Sequence, residues 1–66
     1  MMNSRQREVI KLVAIGWKNQ WIAFRLGITE SAVKNVLRRI YEKTGVADRL
    51  ELAMRFWSER VGRNKL

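Results

Sequence analysis

Glycine punctuates this chain at positions 16, 27, 45 and 62, and proline does not occur at all. The glycines separate four helix-length runs in which apolar residues return every three or four positions, the period of a helix buried along one side. The pattern predicts an all-α fold of four helices in one small domain, over about residues 4–15, 19–26, 30–43 and 49–60, with a frayed tail over 62–66. In the first run Asn3 and Gln6 have the spacing of a capping box, and Val9, Leu12 and Val13 share a face. The second turns Ile22, Ala23 and Leu26 inward; Gly27 stops it, Ile28 plugs the turn and Thr29 caps the third helix. In the fourth, Asp48 and Glu51 form a second capping-box pair. Ala53, Phe56 and Leu52 there suit packing on the other helices, whereas Leu50, Met54, Trp57 and Val61 lie on a different ridge.

Residues 16–46 carry the most information. They read as a helix, a tight turn at Leu26-Gly27-Ile28-Thr29, and a second helix. Val33, Val36, Leu37 and Ile40 form its apolar face; Ser31, Lys34, Asn35 and Arg38 form the opposite, hydrogen-bonding and basic one. A short helix with that polar face, braced by another across a glycine-containing turn, fits the DNA major groove.

Charge points the same way. Fourteen Lys and Arg against six Asp and Glu give a formal net charge of +8. A small domain carrying such self-repulsion usually meets a polyanion: nucleic acid first, an anionic membrane surface second, with a solubility surface as the plain alternative. With no Cys and no His, the chain lacks thiolate ligands, disulfides and the commonest metal ligand and general base. Its six carboxylates are dispersed among caps and surface positions, so no acid/base pair or activated nucleophile is recognisable. A chain of 66 residues leaves no room for both a core and an ordinary cofactor pocket. The expectations are therefore no enzyme activity, no cofactor, no metal and no small-molecule ligand. No apolar run has the length of a signal peptide or membrane span, and the absence of cysteine fits the reducing cytoplasm.

Several blocks, in order, resemble the LuxR-type helix-turn-helix domain, also called the GerE or NarL/FixJ output domain. Arg5-Gln6-Arg7-Glu8-Val9 is similar to that family's opening REREV. Gly16, Asn19, Ile22, Ala23 and Leu26 fall where the family has G…N.EIA..L. Ile28-Thr29-Glu30-Ser31-Ala32-Val33-Lys34-Asn35 resembles its ISE.TVKN, and Lys43-Thr44-Gly45-Val46, Arg49 and Ala53 its K.GV..R..A. The resemblance implies a bacterial transcription regulator of the nucleoid, whose third helix reads the major groove and whose fourth forms a dimer contact. It also places Glu8 and Arg49 as an ion pair between the first and fourth helices. The chain departs from the pattern at Lys18, Gln20, Trp21, Ala32 and Val36. Gln20, Ala32 and Val36 lie near the family's phosphate-contacting surface, where Lys18, Arg25 and Arg39 are the compensating cations.

Lys34, Asn35 and Arg38 are the base-reading candidates, because Arg can donate twice to guanine and Asn can pair with the adenine edge. Lys18, Asn19, Arg25, Thr29, Ser31, Arg39 and Lys43 are candidates for phosphate contact. Simpler roles compete: Thr29 and Asn19 as caps, Arg39 as a partner of Glu42, Lys43 as a last-turn charge on the helix dipole. Leu50, Met54, Trp57 and Val61 suggest a homodimer seam, or else deeper packing within one chain. Trp17 is expected to seal the junction of the first two helices and Trp21 to pack against neighbouring helices.

The leading expectation is a sequence-specific, double-stranded-DNA-binding regulator acting as a dimer. Two alternatives are a stand-alone module pairing with a larger regulator or RNA polymerase through the fourth helix, and a sigma region 4-like domain. A complete small protein and an excised C-terminal domain are equally compatible with the sequence.

Overall fold

The computed structural model describes residues 2–63 and contains α1 (Ser4–Ala14), α2 (Asn19–Leu26), α3 (Glu30–Thr44) and α4 (Arg49–Arg63), with no strand among the described residues. Three of the four helix starts have a side-chain cap. Asn3 caps α1: its side chain accepts from the Gln6 amide at 2.8 Å, and Gln6 Oε1 accepts from the Asn3 amide at 3.1 Å. This closes the expected capping box. Thr29 Oγ1 accepts from the Ala32 amide at 3.0 Å and starts α3. Asp48 Oδ1 accepts from the Glu51 amide at 2.9 Å. The reciprocal half of that second box is displaced, because Glu51 Oε1 takes the Ala47 amide at 2.7 Å, one residue upstream.

The α2–α3 turn depends on Gly27, whose φ of 69° lies in the left-handed region. That conformation lets the Ile28 amide reach back to the Ala23 carbonyl at 3.0 Å, satisfying a carbonyl in the last turn of α2. Ile28 is thereby tucked, half-buried, against the core. A Cβ at position 27 would meet nothing within 4 Å, so only backbone conformation demands glycine there.

Val9, Leu12 and Val13 of α1, Ile22 and Ala23 of α2, Val33, Leu37 and Ile40 of α3, Val46 and Leu52 form one buried cluster. α1 is its hub, packing on both α3 and α4, while α2 packs on α3. Val46, not singled out by helical periodicity, is buried because Gly45 turns the chain back over the core, with the Val46 amide donating to Thr44 Oγ1 at 3.3 Å. Gln6 is buried too, and its Oε1 also accepts from Lys43 Nζ at 3.0 Å.

Three expectations need correction. α4 runs on through Gly62 to Arg63 instead of ending near Arg60, since a single glycine costs a helix only about 1 kcal/mol; the rest of the expected frayed tail, 64–66, lies outside the described residues. Arg49 makes no ion pair with Glu8 among the described residues. It forks instead onto Asn19 Oδ1 at 2.6 Å and the Trp17 carbonyl oxygen, tying the start of α4 to the α1–α2 connection. Trp21 does not pack inward: it is 54 % exposed and stands edge to face with Phe24 at 6.4 Å between ring centres. About 100° per residue carries position 21 to the side of α2 opposite Ile22 and Ala23, so an inward Trp21 would have forced those two outward.

The Arg49 fork leads to a stability prediction. Arg49→Ala leaves the Trp17 carbonyl and Asn19 without their donor and should lower stability by about 2 kcal/mol. In a domain this small that is roughly 10 °C in the thermal midpoint. Arg49→Lys, which cannot present a planar fork, should restore only part of the loss. Circular-dichroism melting is the measurement; an unchanged midpoint in the Ala variant would remove Arg49 from the account of the fold.

Candidate nucleic-acid interface

α3 is a helix divided lengthwise. Val33, Leu37 and Ile40 are buried, Val36, Tyr41 and Thr44 are half-buried, and Ser31, Lys34, Asn35, Arg38 and Arg39 are exposed. Glu30 in the first turn and Lys43 in the last both favour the helix dipole, and Gly45 ends the helix. Burying the apolar stripe fixes the rotation of α3 about its axis and so directs the basic stripe to solvent.

The base-reading candidates form a contiguous group on that stripe. Arg38 Nη2 donates to Asn35 Oδ1 at 2.9 Å, which orients the guanidinium across the helix surface. Asn35 keeps its amide N–H groups, and Arg38 keeps further donors on its fork. The Lys34 ammonium has no partner among the described residues. One face thus offers a point charge, a planar cation and an amide, with donors in excess of acceptors. That chemistry matches phosphate oxygens and the acceptor-rich edge of guanine.

The phosphate candidates divide into two sets. Thr29 and Ser31, at the start of α3, and Arg39 border the exposed stripe. Thr29 Oγ1 accepts the capping bond, and its own O–H remains a donor. At the other helix start, Lys18 is the N-cap residue of α2, with no side-chain capping bond and no acidic residue in the first turn. The Trp21 and Ile22 amides bond to the Lys18 carbonyl, whereas the Asn19 and Gln20 amides have no partner among the described residues and leave the positive end of α2 open beside Lys18, an arrangement that suits an anion.

The remaining three are occupied elsewhere. Asn19 is not a cap; its Oδ1 receives Arg49. The Arg25 guanidinium lies over the Trp17 ring at 5.6 Å from its centre. Lys43 reaches Gln6 beside the start of α1. Helical spacing conveys which face a residue occupies, but not which distant group its long side chain will meet. Arg49 shows the same limit: it is the residue that positions Asn19, and only the tertiary fold reveals it.

On α4, Leu50, Met54, Trp57 and Val61 are 70 %, 61 %, 45 % and 67 % exposed. With Ala53 and Ser58 they line a shallow groove. Trp57 is also held from within, its Nε1 donating to the Ala14 carbonyl at 2.9 Å, so its ring is fixed while one side stays open. From Trp57 to Gly62 every residue is exposed, and the final turns of α4 project beyond the core. No helix among the described residues is long and apolar enough to cross a membrane.

Comparison with known proteins places this architecture. Residues 2–56 match the GerE family model, described as bacterial regulatory proteins of the luxR family. The chain is 40% identical over 57 residues to the monoamine regulon transcriptional regulator of Klebsiella aerogenes, covering 86% of this chain and 25% of that protein. It is 38% identical over 60 residues to the nitrate/nitrite response regulator protein NarL of Escherichia coli K12, covering 91% and 28% respectively. It is 42% identical over 48 residues to the probable transcriptional regulatory protein SgaR of Hyphomicrobium methylovorum, covering 73% and 23%. The chain thus spans about a quarter of the length of these curated relatives. Four helices without a strand among the described residues, a glycine turn between α2 and α3, and a family match over most of the sequence lead to one assignment: the chain belongs to the luxR family of bacterial regulatory proteins, as a domain of the GerE type.

Proposed function

We propose that this domain binds double-stranded DNA sequence-specifically and regulates transcription, with α3 in the major groove. Lys34, Asn35 and Arg38 read base edges. Lys18 with the open start of α2, together with Thr29, Ser31 and Arg39, holds the phosphates on either side. The observation carrying this reading is the exposed Asn35–Arg38 pair beside a Lys34 that has no partner among the described residues, on a helix whose rotation is fixed by its buried stripe. The relatives' names, transcriptional and response regulators, support the same role. The net charge of +8 supplies the long-range attraction. The reading implies the bacterial nucleoid as the place of action.

We further infer that two copies associate through Leu50, Met54, Trp57 and Val61, the apolar stripe that runs along the open side of α4 onto its projecting end. A helix end without tertiary support is marginal in water, and burial against a second copy would stabilise it. Two reading helices would then face half-sites about one helical turn apart. The same stripe also supports a second reading, in which this domain pairs with a larger regulator or RNA polymerase instead of with itself.

Selection of bound sequences from a random duplex pool tests the main proposal; a pool with no enrichment over non-specific retention would overturn it. On the selected site, Arg38→Ala should cost ~1–3 kcal/mol and relax discrimination at one base pair, with the thermal midpoint unchanged because the side chain is exposed. Lys18→Ala should weaken all sequences alike and flatten the slope of log affinity against log salt by about one, the signature of one lost phosphate contact. Met54→Glu should leave the fold intact, abolish dimers in sedimentation and reduce affinity for a two-half-site duplex far more than for a single half-site. A wild-type chain that stays monomeric both alone and on DNA removes the self-association.

A further inference from the structure

α2 has an aromatic face that the core does not use; it shares Lys18 with the proposed phosphate contact, and no α3 residue lines it. Phe24 is 81 % exposed and is the most open of the large apolar side chains. Trp21 stands against it with the ring planes at 82°. Together with Gly16, Trp17, Lys18 and Arg25 they line a shallow apolar depression to which α3 contributes nothing. The two open side chains expose roughly 300 Å² between them, the size of the largest apolar patch on a typical monomer, which is often a functional surface.

The charge around this depression is one-sided. Its lining includes Lys18 and Arg25 and no carboxylate. Arg25 is laid over Trp17, so its guanidinium is held in place while its N–H donors have no hydrogen-bond partner among the described residues. A stacked, immobilised guanidinium of this kind is suited to receiving a carboxylate through two parallel bonds.

We propose that this face of α2 is a docking site for a short acidic amphipathic segment of a protein partner, one helix whose apolar anchors cover Trp21 and Phe24 and whose carboxylates meet Arg25 and Lys18. Area and charge select this occupant. Stable pairing of two globular surfaces needs about 800 Å² on each side, well beyond what this depression offers, whereas a single helix or strand fits it. A second copy of this chain would set Lys18 and Arg25 against cations of its own. A duplex presents phosphates and sugars, which give an open Phe24 no apolar partner. Two rings held edge to face also cannot both lie flat on bases.

The test uses the full chain labelled with ¹⁵N, in which the indole N–H signals of Trp17 and Trp21 report on the depression and that of Trp57 on the α4 groove. The probe is a synthetic helical peptide with Leu and Phe at helical spacing and Glu at the remaining positions; the control replaces each Glu by Lys. The acidic peptide should shift the Trp21 signal saturably and leave Trp57 unmoved, while the Lys peptide should shift neither. Trp21→Ser and Phe24→Ser, both uncharged changes at solvent-facing positions, should each retain the thermal midpoint, weaken the peptide about tenfold or more, and keep duplex affinity within about twofold. Four results would each overturn the proposal: no saturable shift with the acidic peptide, equal shifts with both peptides, loss of duplex affinity in the Phe24→Ser chain comparable to that of Arg38→Ala, or a Trp21 shift produced by phosphatidylglycerol vesicles and not by the peptide.

Discussion

The rotation of α3 about its own axis is the constraint on which the rest of this molecule depends. It is set by three side chains, Val33, Leu37 and Ile40, which disappear into the core. Each successive residue on a helix is displaced by about 100°, so a slip of one position would bring a different set of groups to the surface. The polar face is therefore specified by what lies behind it. Gly27 and the Thr29 cap fix where the helix begins, and α1 provides the surface against which it rests. The Arg49 fork then closes the start of α4 over the α1–α2 connection, so the short α2 is held from two directions.

Much of this arrangement was legible in the sequence, because the signals involved are local. Asn3 with Gln6, Thr29 before Glu30, and the glycines at 27 and 45 act within a turn of the residues they serve, and the buried stripes follow from periodicity. What was not legible involves long side chains reaching across the fold. Glu8 and Arg49 have opposite charges, yet Arg49 turns to a carbonyl and an amide, acceptors that no charge pattern announces. Lys43 serves the last turn of α3, as its position suggests, and also reaches Gln6, 37 residues away in sequence. Trp21 combines a residue type that favours burial with an angular position on the outer side of α2, and the position prevails. Of the candidate site, the face could be read in advance. The Asn35–Arg38 bond, the uncapped start of α2 and the withdrawal of Arg25 onto Trp17 required coordinates.

The surface of this small domain is unevenly allocated. Cations and amides occupy the open side of α3, apolar side chains run along the open side of α4 onto its projecting end, and aromatic rings with a basic rim occupy the outside of α2. Each helix gives one side to the core and a chemically different side to solvent. α1 is spent on holding the others together. With so few buried side chains, exposing further apolar surface costs stability that a domain of this size scarcely has. Two uncovered apolar faces on one such domain are then better understood as contact surfaces than as imperfect packing.

The knot around Gln6 has a consequence for how the molecule opens. One oxygen accepts both the amide that begins α1 and the ammonium near the end of α3. Fraying at the front of the chain is therefore felt elsewhere, since undoing the α1 cap also disturbs a contact to the far end of α3. The two helices are joined into one cooperative unit, and their slowest-exchanging amides should lose protection in a single step, leaving the two-turn α2 to fluctuate on a faster clock of its own.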